Sequence, residues 1–254
     1  MNEINLVHLY PEILNLYADR GNLLTLQYYT KKMGISLNIK NIGLNEQFPE
    51  KCDLIFIGGG QDRDQEQVSD DLMKHQDVIS NLVNSEVPVL AVCGGYQLFG
   101  KSYRISKNKI LKGIGIFDCV SVANYNKNPK RFIGDILINA SNGIGQIIGF
   151  ENHAASTFLG SNAKPFGFIK EGFGNNGVDK TEGSIYKNAI GTYLHGPILP
   201  RNEKLSLFII KKALENKPKL LQKFTDYHDP NVARAFKSGK KFANKKYSFM
   251  KRVK

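Results

Sequence analysis

One stretch of the sequence decides the fold: Val87-Pro88-Val89-Leu90-Ala91-Val92-Cys93-Gly94-Gly95-Tyr96-Gln97. Its first six residues form a short apolar run, rich in β-branched side chains, that is typical of a buried strand. The run ends on Cys93, and two glycines then lead into a predicted helix. Ala91 and Gly95 place small residues two positions before and after Cys93, which is the spacing of a nucleophile elbow. This spacing favours Cys93 as a nucleophile over the alternative, a small buried hydrophobe.

The composition is that of a folded enzyme-sized chain. With 254 residues, 41% of them hydrophobic, it can bury a large core as one α/β domain, with or without an appendage. The apolar runs are far shorter than a membrane span and the N-terminus lacks a signal pattern, so we expect neither a transmembrane helix nor a signal peptide. Cys52, Cys93 and Cys119 contain no CxxC pair. We therefore expect no disulfide framework, no metal site and a cytoplasmic location.

The charge is strongly basic, at +12, and much of the excess lies near the C-terminus. No nucleic-acid recognition motif accompanies it, so we expect no nucleic-acid partner. The lysine-rich end is predicted to be a solvated tail, with contact to an anionic membrane surface or an acidic partner as the alternative. We divide the chain into a main domain over residues 1–215 and a basic C-terminal extension over residues 216–254.

Strand and helix patterns alternate up to the elbow. Residues 4–10, 35–39, 53–57 and 87–92 are predicted strands. Pro11 is predicted to open a helix that the cluster Asp19-Arg20-Gly21-Asn22 interrupts and that closes at Met33-Gly34. Residues 67–83 are predicted to form one helix. After the elbow, the sequence predicts an added, mostly antiparallel region made of short strands at 114–122, 132–140, 146–150, 166–169, 183–186 and 189–193. A helix over 205–214 follows, and the tail is predicted to be irregular from about Lys217. The fold class is therefore α/β, a doubly wound open sheet with added antiparallel strands.

A glycine-rich loop, Gly58-Gly59-Gly60-Gln61-Asp62, follows the third predicted strand. It could bind phosphate, but it lacks the lysine ending and the spacing of nucleotide-binding loops. We favour the second possibility, an oxyanion hole in which glycine amides approach a substrate carbonyl.

Five histidines could serve a cysteine nucleophile as its base. His8 is predicted to be packed in the first strand, and His75 and His228 to be solvated. His153 and His195 are better placed, because each lies in or after a strand-like run. His195 is followed by Gly196-Pro197 and is predicted to lie at the carboxyl end of a strand, as Cys93 does. The pair would perform acyl transfer from a carboxamide.

Two motifs carry a resemblance to a known family: Cys93-Gly94-Gly95-Tyr96-Gln97 and Tyr193-Leu194-His195-Gly196-Pro197. Through them the chain resembles the class I (triad-type) glutamine amidotransferases of the cobyric acid synthase subgroup. Within that subgroup, residues 9–12, 15–22, 58–62 and 149–153 are similar to the GatD-type glutaminase subunits of lipid II isoglutaminyl synthase. The resemblance covers roughly residues 4–215 and implies a flavodoxin-like fold.

The resemblance also implies roles for individual residues. Cys93 would be the nucleophile and His195 the base, Gly60 and Gly94 would supply oxyanion amides, and Gln97 would help to hold the substrate L-glutamine. Arg131 falls where the family has an arginine implicated in glutamine binding; the alternative is an ordinary exposed charge at a strand start. Many relatives have a glutamate two residues after the histidine, where this chain has Pro197. The resemblance therefore implies a catalytic Cys–His dyad, and the sequence does not identify a third catalytic residue.

The family implies that glutamine is hydrolysed to glutamate and that ammonia passes to a Mur-ligase-like, MurT-type partner. That partner would bind ATP, since no cofactor is expected in this chain, and would amidate D-glutamate of the lipid II stem peptide close to the membrane. Two alternatives stay open. One is a cobyric acid synthase-like glutaminase that serves another acceptor, and the other is a non-catalytic cysteine sensor on the same fold.

Overall fold

The computed structural model describes residues 3–15, 19–124 and 131–252, with side chains as far as residue 243. The strands are β1 (Glu3–Leu9), β2 (Ser36–Ile42), β3 (Leu54–Ile57), β4 (Val89–Val92), β5 (Ser102–Ser106), β6 (Lys109–Lys112), β7 (Cys119–Val122), β8 (Phe132–Ala140), β9 (Gln146–His153), β10 (Ser156–Leu159), β11 (Gly167–Glu171), β12 (Thr181–Glu182), β13 (Ser184–Tyr186) and β14 (Ala189–Thr192). The helices are α1 (Arg20–Lys32), α2 (Asp62–Lys74), α3 (Gln76–Asn84), α4 (Gly94–Phe99), α5 (Glu203–Leu214), α6 (Pro218–Leu221) and α7 (Pro230–Arg252).

The main sheet confirms the predicted doubly wound α/β fold. Within the described residues it has six strands, in the order β13-β14-β4-β3-β1-β2. All neighbours are parallel except the β13–β14 pair at one edge. Every residue of β3, β4 and β14 is buried, as expected for strands whose sheet is covered on both faces. The cysteine-bearing strand β4 thus lies in the interior of the sheet.

The connection after β1 differs from the prediction. Pro11 does not open a helix: Tyr10 adopts a positive φ of 51°, and its carbonyl accepts hydrogen bonds from the amides of Ile13 and Leu14, which reverses the chain. The helix α1 begins at Arg20, so the cluster at residues 19–22 starts the helix instead of interrupting it. Gly34, with φ of 66°, ends it as predicted.

The predicted helix over 67–83 is two helices. α2 begins earlier, at Asp62, where Gln61 and Asp64 form a capping box, and the break falls at His75. The prediction that His75 is solvated is wrong, because its ring is buried at this junction and lies 5.9 Å from the Phe48 ring, centroid to centroid. His8 is packed as predicted, against Phe56, and the His228 side chain is exposed as predicted.

The added strands form two further sheets in the described part of the chain, in the orders β10-β7-β5-β6 and β12-β11-β8-β9. Their pairs are antiparallel except β5 with β7. Of the predicted run over 114–122, only β7 is a strand. The β5–β6 hairpin was not predicted, because its sequence is too polar to show a clear alternation.

The C-terminal region is not irregular as predicted. α7 packs against β8, β9 and β11, with Ala243 fully buried and Gly239 beside Ile148. Val232 and Phe236 extend the same apolar stripe at helical spacing, which explains why a lysine-rich segment is helical here. The division of the chain at residue 215 stays a prediction. Across residues 3–15, 19–124 and 131–252, no helix has the length and apolar character needed to cross a membrane.

Candidate active site

Three neighbouring strands of the main sheet end at the same place. β4 ends at Val92, directly before Cys93, β3 runs into Gly58–Gly60, and β14 ends three residues before His195. The register pairs Ala91 of β4 with Ile57 of β3 on one side and with Gly191 of β14 on the other. Because parallel strands present their carboxyl ends at one edge, the cysteine, the glycine loop and the histidine are brought together, as the sequence predicted.

Cys93 is held in a strained turn. Its backbone has φ 49° and ψ −104°, a conformation that a residue with a side chain adopts only where the surrounding structure enforces it. The amide of Cys93 donates to the Thr192 carbonyl at 2.8 Å, and the amide of Gly95 donates to the Gly58 carbonyl at 3.1 Å. A Cβ on Gly95 would lie 2.8 Å from the Ile57 Cγ2 atom, so only glycine fits two residues after the cysteine. The elbow is therefore present, and α4 starts at the next residue.

His195 is completely buried beside Cys93. Its backbone is fixed by a pair of hydrogen bonds with Phe150 of β9, at 2.7 and 3.2 Å. Burial alone would lower the pKa of its imidazole. The charge and hydrogen bond of Cys93, together with those of Asp19, outweigh burial and raise the pKa of His195 to about 10. The ring therefore interacts with both Cys93 and Asp19, which is the position that a proton carrier for the sulfur would need.

The structure places Asp19 beside His195, although the sequence did not identify Asp19 as a candidate catalytic residue. Asp19 is fully buried, and its Oδ1 atom lies 3.5 Å from Nδ1 of His195, while its Oδ2 atom accepts the amide of Gly59 at 2.9 Å. Because the Asp19 carboxylate faces Nδ1 of His195, the other ring nitrogen, Nε2, can exchange a proton with Cys93. This is the arrangement of a catalytic triad. The sequence showed Asp19 only as part of a turn cluster. Its contact with His195 depends on the loop after β1, whose residues 16–18 lie outside the described part of the chain.

Gly59 occupies the space between these three side chains. A Cβ there would lie 3.0 Å from Cε1 of His195, 3.2 Å from Cβ of Cys93 and 3.3 Å from Oδ2 of Asp19. The glycine loop is therefore part of the packing of the catalytic groups. Gly60 and Gly94 also come together as predicted, since a Cβ on Gly94 would lie 2.9 Å from the amide nitrogen of Gly60.

A cavity of about 560 Å³ opens above the sulfur of Cys93. Its described lining comes from the glycine loop, the start of α2, the elbow and the walls formed by β5, β8 and β9: Gly60, Gln61, Asp62, Arg63, Gln65, Cys93, Gln97, Tyr103, Arg131, Ile133, Asn152, His153, Ala154 and Ala155. Charged side chains and side-chain amides line the cavity, so it suits a small polar substrate.

Gln97 lines the cavity, but both ends of its amide are already bonded inside the protein. Its Oε1 accepts Nε2 of Gln65 at 2.8 Å, and its Nε2 donates to the Tyr193 hydroxyl at 3.1 Å. That hydroxyl lies 2.6 Å from Oγ1 of Thr157, which lies 2.7 Å from Oγ of Ser121. This buried chain fixes the side chain of Gln97; whether Gln97 also contacts glutamine stays a prediction.

His153 lies in the cavity wall formed by β9. Its ring stacks on Tyr193, with ring centres 3.7 Å apart and planes 6° from parallel, and its Nδ1 lies 2.8 Å from the Ala155 carbonyl oxygen. Of the two candidate bases, the structure places His195 beside both Cys93 and Asp19. His153 is placed to shape the cavity.

Behind the strand that leads to His195 lies the fully buried Glu182. Its carboxylate accepts the amide of Tyr193 at 2.7 Å and the hydroxyl of Thr192 at 3.1 Å, and burial raises its pKa to about 8. No pattern in the sequence marks Glu182 as part of the site.

Arg131 stands at the start of β8, on the exposed side of the cavity. Its Nε and one terminal nitrogen donate to Oδ1 of Asn152 at 3.1 and 2.8 Å. Arg131 and Cys93 line the same cavity. That Arg131 binds glutamine stays a prediction. Lys130, its neighbour in the sequence, lies outside the described residues.

Comparison with known proteins agrees with this geometry. The model of the CobB/CobQ-like glutamine amidotransferase domain matches residues 5–203. The chain belongs to this family. It is therefore a glutamine-hydrolysing enzyme, and the non-catalytic cysteine sensor is not supported.

Two similar proteins extend the match over most of the chain. The lipid II isoglutaminyl synthase (glutamine-hydrolyzing) subunit GatD of Streptococcus pneumoniae is 39% identical over 216 residues, covering 85% of this chain and 82% of that protein. The subunit of the same name from Staphylococcus aureus is 39% identical over 218 residues, covering 85% and 87%. A probable cobyric acid synthase from Methanothermobacter thermautotrophicus is 29% identical over only 45% of this chain and 24% of its own length.

Solved structures support the fold alone. PurLQS from Thermotoga maritima aligns with a TM-score of 0.61 at 14% identity, covering 83% of this chain and 99% of the matched one. The glutaminase domain of Trypanosoma brucei CTPS aligns with a TM-score of 0.53 at 12% identity, covering 84% and 94%.

Proposed function

We propose that this chain is the glutaminase subunit of a lipid II isoglutaminyl synthase. The observation that carries the proposal is the 39% identity to two such subunits over 85% of the chain, joined to a buried Cys93–His195–Asp19 cluster beneath a polar cavity. In the proposed assembly a MurT-type, ATP-dependent ligase in the cytoplasm accepts the ammonia and amidates D-glutamate of the lipid II stem peptide.

The chemistry follows from the positions of the side chains. Sulfur of Cys93 attacks the side-chain carboxamide carbon of glutamine, and the amides of Gly60 and Gly94 stabilise the negative oxygen that forms. His195 takes the proton of the Cys93 thiol and gives it to the departing nitrogen, so that the carbon–nitrogen bond breaks, ammonia leaves and a thioester remains on Cys93. His195 then takes a proton from water as the water oxygen attacks the thioester carbon. The carbon–sulfur bond breaks to release glutamate, and His195 returns the proton to the sulfur, which restores the thiol.

Arg131 has the chemistry to bind the α-carboxylate of glutamine. Its guanidinium presents two parallel donors, a geometry that fits a carboxylate. We propose that Asn152 orients this guanidinium in the empty cavity and that the substrate carboxylate shares or replaces that contact.

The proposal is tested by reconstitution. The chain would be combined with its Mur-ligase-like partner, ATP, lipid II and glutamine that carries a nitrogen isotope in the side-chain amide. We expect the isotope in amidated lipid II, detected by mass spectrometry. With Cys93→Ser, isotope transfer should stop while added ammonium salts still support amidation, since the ligase half is intact.

The weaker similarity to cobyric acid synthases keeps one alternative acceptor open. The same reconstitution with a cobyrinate-type corrinoid in place of lipid II separates the two. Amidation of the corrinoid, with none of lipid II, would contradict the proposed acceptor and leave the glutaminase assignment standing.

A further inference from the structure

The substrate cavity contains a carboxylate that the chemistry above does not use. Asp62 is the first residue of α2 and belongs to the glycine-loop motif Gly58-Gly59-Gly60-Gln61-Asp62. Among the described residues that line the cavity, Asp62 is the one whose side chain is a carboxylate. Glutamine carries a positive α-ammonium group next to its α-carboxylate, and a site that recognises both ends needs both signs of charge.

Asp62 is held by a buried partner. The hydroxyl of Tyr103, on β5, donates to Oδ1 of Asp62 at 2.6 Å. Tyr103 is buried, and burial, followed by the charge and hydrogen bond of Asp62, raises the pKa of its phenol far above the ordinary value. The phenol therefore stays a donor at every physiological pH. This bond fixes Oδ1 of Asp62, and no hydrogen bond to its Oδ2 is found among the residues that the structure describes.

The surrounding charges match a zwitterion. Arg131, on β8, and Asp62, on α2, come from different elements and line one cavity together with Cys93. We propose that Asp62 binds the α-ammonium group of the substrate, as a specificity-determining residue that Tyr103 positions. This assignment rests on the proposed function, in which glutamine is bound with its α-carboxylate on Arg131.

The test compares two substrates on the full-length enzyme. Glutaramate is glutamine without its α-amino group, so it keeps the carboxamide and the carboxylate but offers nothing to Asp62. Ammonia release would be measured for both compounds with wild type, Asp62→Asn and Asp70→Asn. Asp70→Asn is the matched control, because Asp70 is exposed on the same helix and does not line the cavity.

We expect Asp62→Asn to lower kcat/KM for glutamine about tenfold, mainly through KM, and to leave kcat/KM for glutaramate unchanged. Tyr103→Phe should lower glutamine use in the same direction by less, and Asp70→Asn should change neither value. Equal losses for both compounds, or no loss for either, would overturn the role of Asp62. A wild-type enzyme that hydrolyses no glutamine would contradict the proposed function instead, so the two failures are distinguishable.

Discussion

The two sides of the substrate cavity hold their side chains in different ways. On the catalytic side, Cys93 is 7% exposed and His195 and Asp19 are fully buried, each fixed by backbone hydrogen bonds at a strand end or a glycine loop. On the recognition side, Asp62 and Arg131 are exposed and are each held by a single neighbouring side chain. In the proposed function, the groups that react with the substrate are pre-positioned away from water, whereas the groups that bind its charged ends lie in the exposed part of the cavity. Substitutions on the first side should therefore change kcat, and those on the second should change KM.

The largest effect is expected at the sulfur. Cys93→Ala should lower glutamine hydrolysis by about a millionfold, because no other group in the elbow can form the acyl intermediate. The fold should be retained, which circular dichroism and thermal unfolding would check. Near-normal ammonia release from Cys93→Ala would remove the central claim about this site.

Substitution of the two candidate histidines should have effects of different size. His195→Ala should be about as severe as Cys93→Ala, since the buried imidazole is the proton carrier. His153→Ala should be milder, because that ring stacks on Tyr193 and shapes the wall. Both would be compared by ammonia release at saturating glutamine. A dead His153→Ala enzyme beside an active His195→Ala enzyme would reverse the assignment.

Asp19→Asn should lower kcat about a thousandfold and also change the pH profile. Asp19 helps to raise the pKa of His195 to about 10, so its loss should lower that pKa. His195 must be protonated to release ammonia, and the alkaline limb of the pH–rate profile should therefore move to lower pH. The pH dependence of kcat measures this. An unshifted alkaline limb would show that Asp19 has no influence on His195.

The site residues also differ in how well the sequence could predict them. Cys93 directly follows one short apolar run and His195 lies close behind another, so the runs that mark β4 and β14 mark these two residues as well. Asp19 follows a reversed, non-repeating loop, and its contact with His195 exists only in three dimensions. The hairpin of β5 and β6, which supplies Tyr103, was missed for a different reason: its polar sequence shows no clear alternation. Local patterns locate strand ends, whereas long-range contacts between loops leave little trace in one sequence.

Gly59→Ala tests how tightly the catalytic side is packed. One methyl group would press on His195, Cys93 and Asp19 at once, at 3.0 to 3.3 Å. We expect kcat to fall about a hundredfold through misplacement of the three groups, although none of them is removed. Gly43→Ala is a suitable control, because its Cβ would meet nothing closer than 3.7 Å. Equal kinetics for the two variants would contradict the close packing.

Arg131→Ala belongs to the recognition side and should change kcat less than any of the substitutions on the catalytic side. Losing a charged donor pair for the α-carboxylate should raise KM for glutamine about tenfold to a hundredfold and leave kcat nearly unchanged. Cys93 should still react with iodoacetamide at the wild-type rate, since the exposed Arg131 is bonded to Asn152 and contributes nothing to the elbow that holds Cys93. Arg131→Lys should recover only part of the loss, because lysine keeps the charge and loses the paired geometry. If Arg131→Ala hydrolysed glutamine with an unchanged KM, Arg131 would be an ordinary surface charge bonded to Asn152. The carboxylate would then need another cation, and Arg63, which lines the same cavity, would be the residue to substitute next.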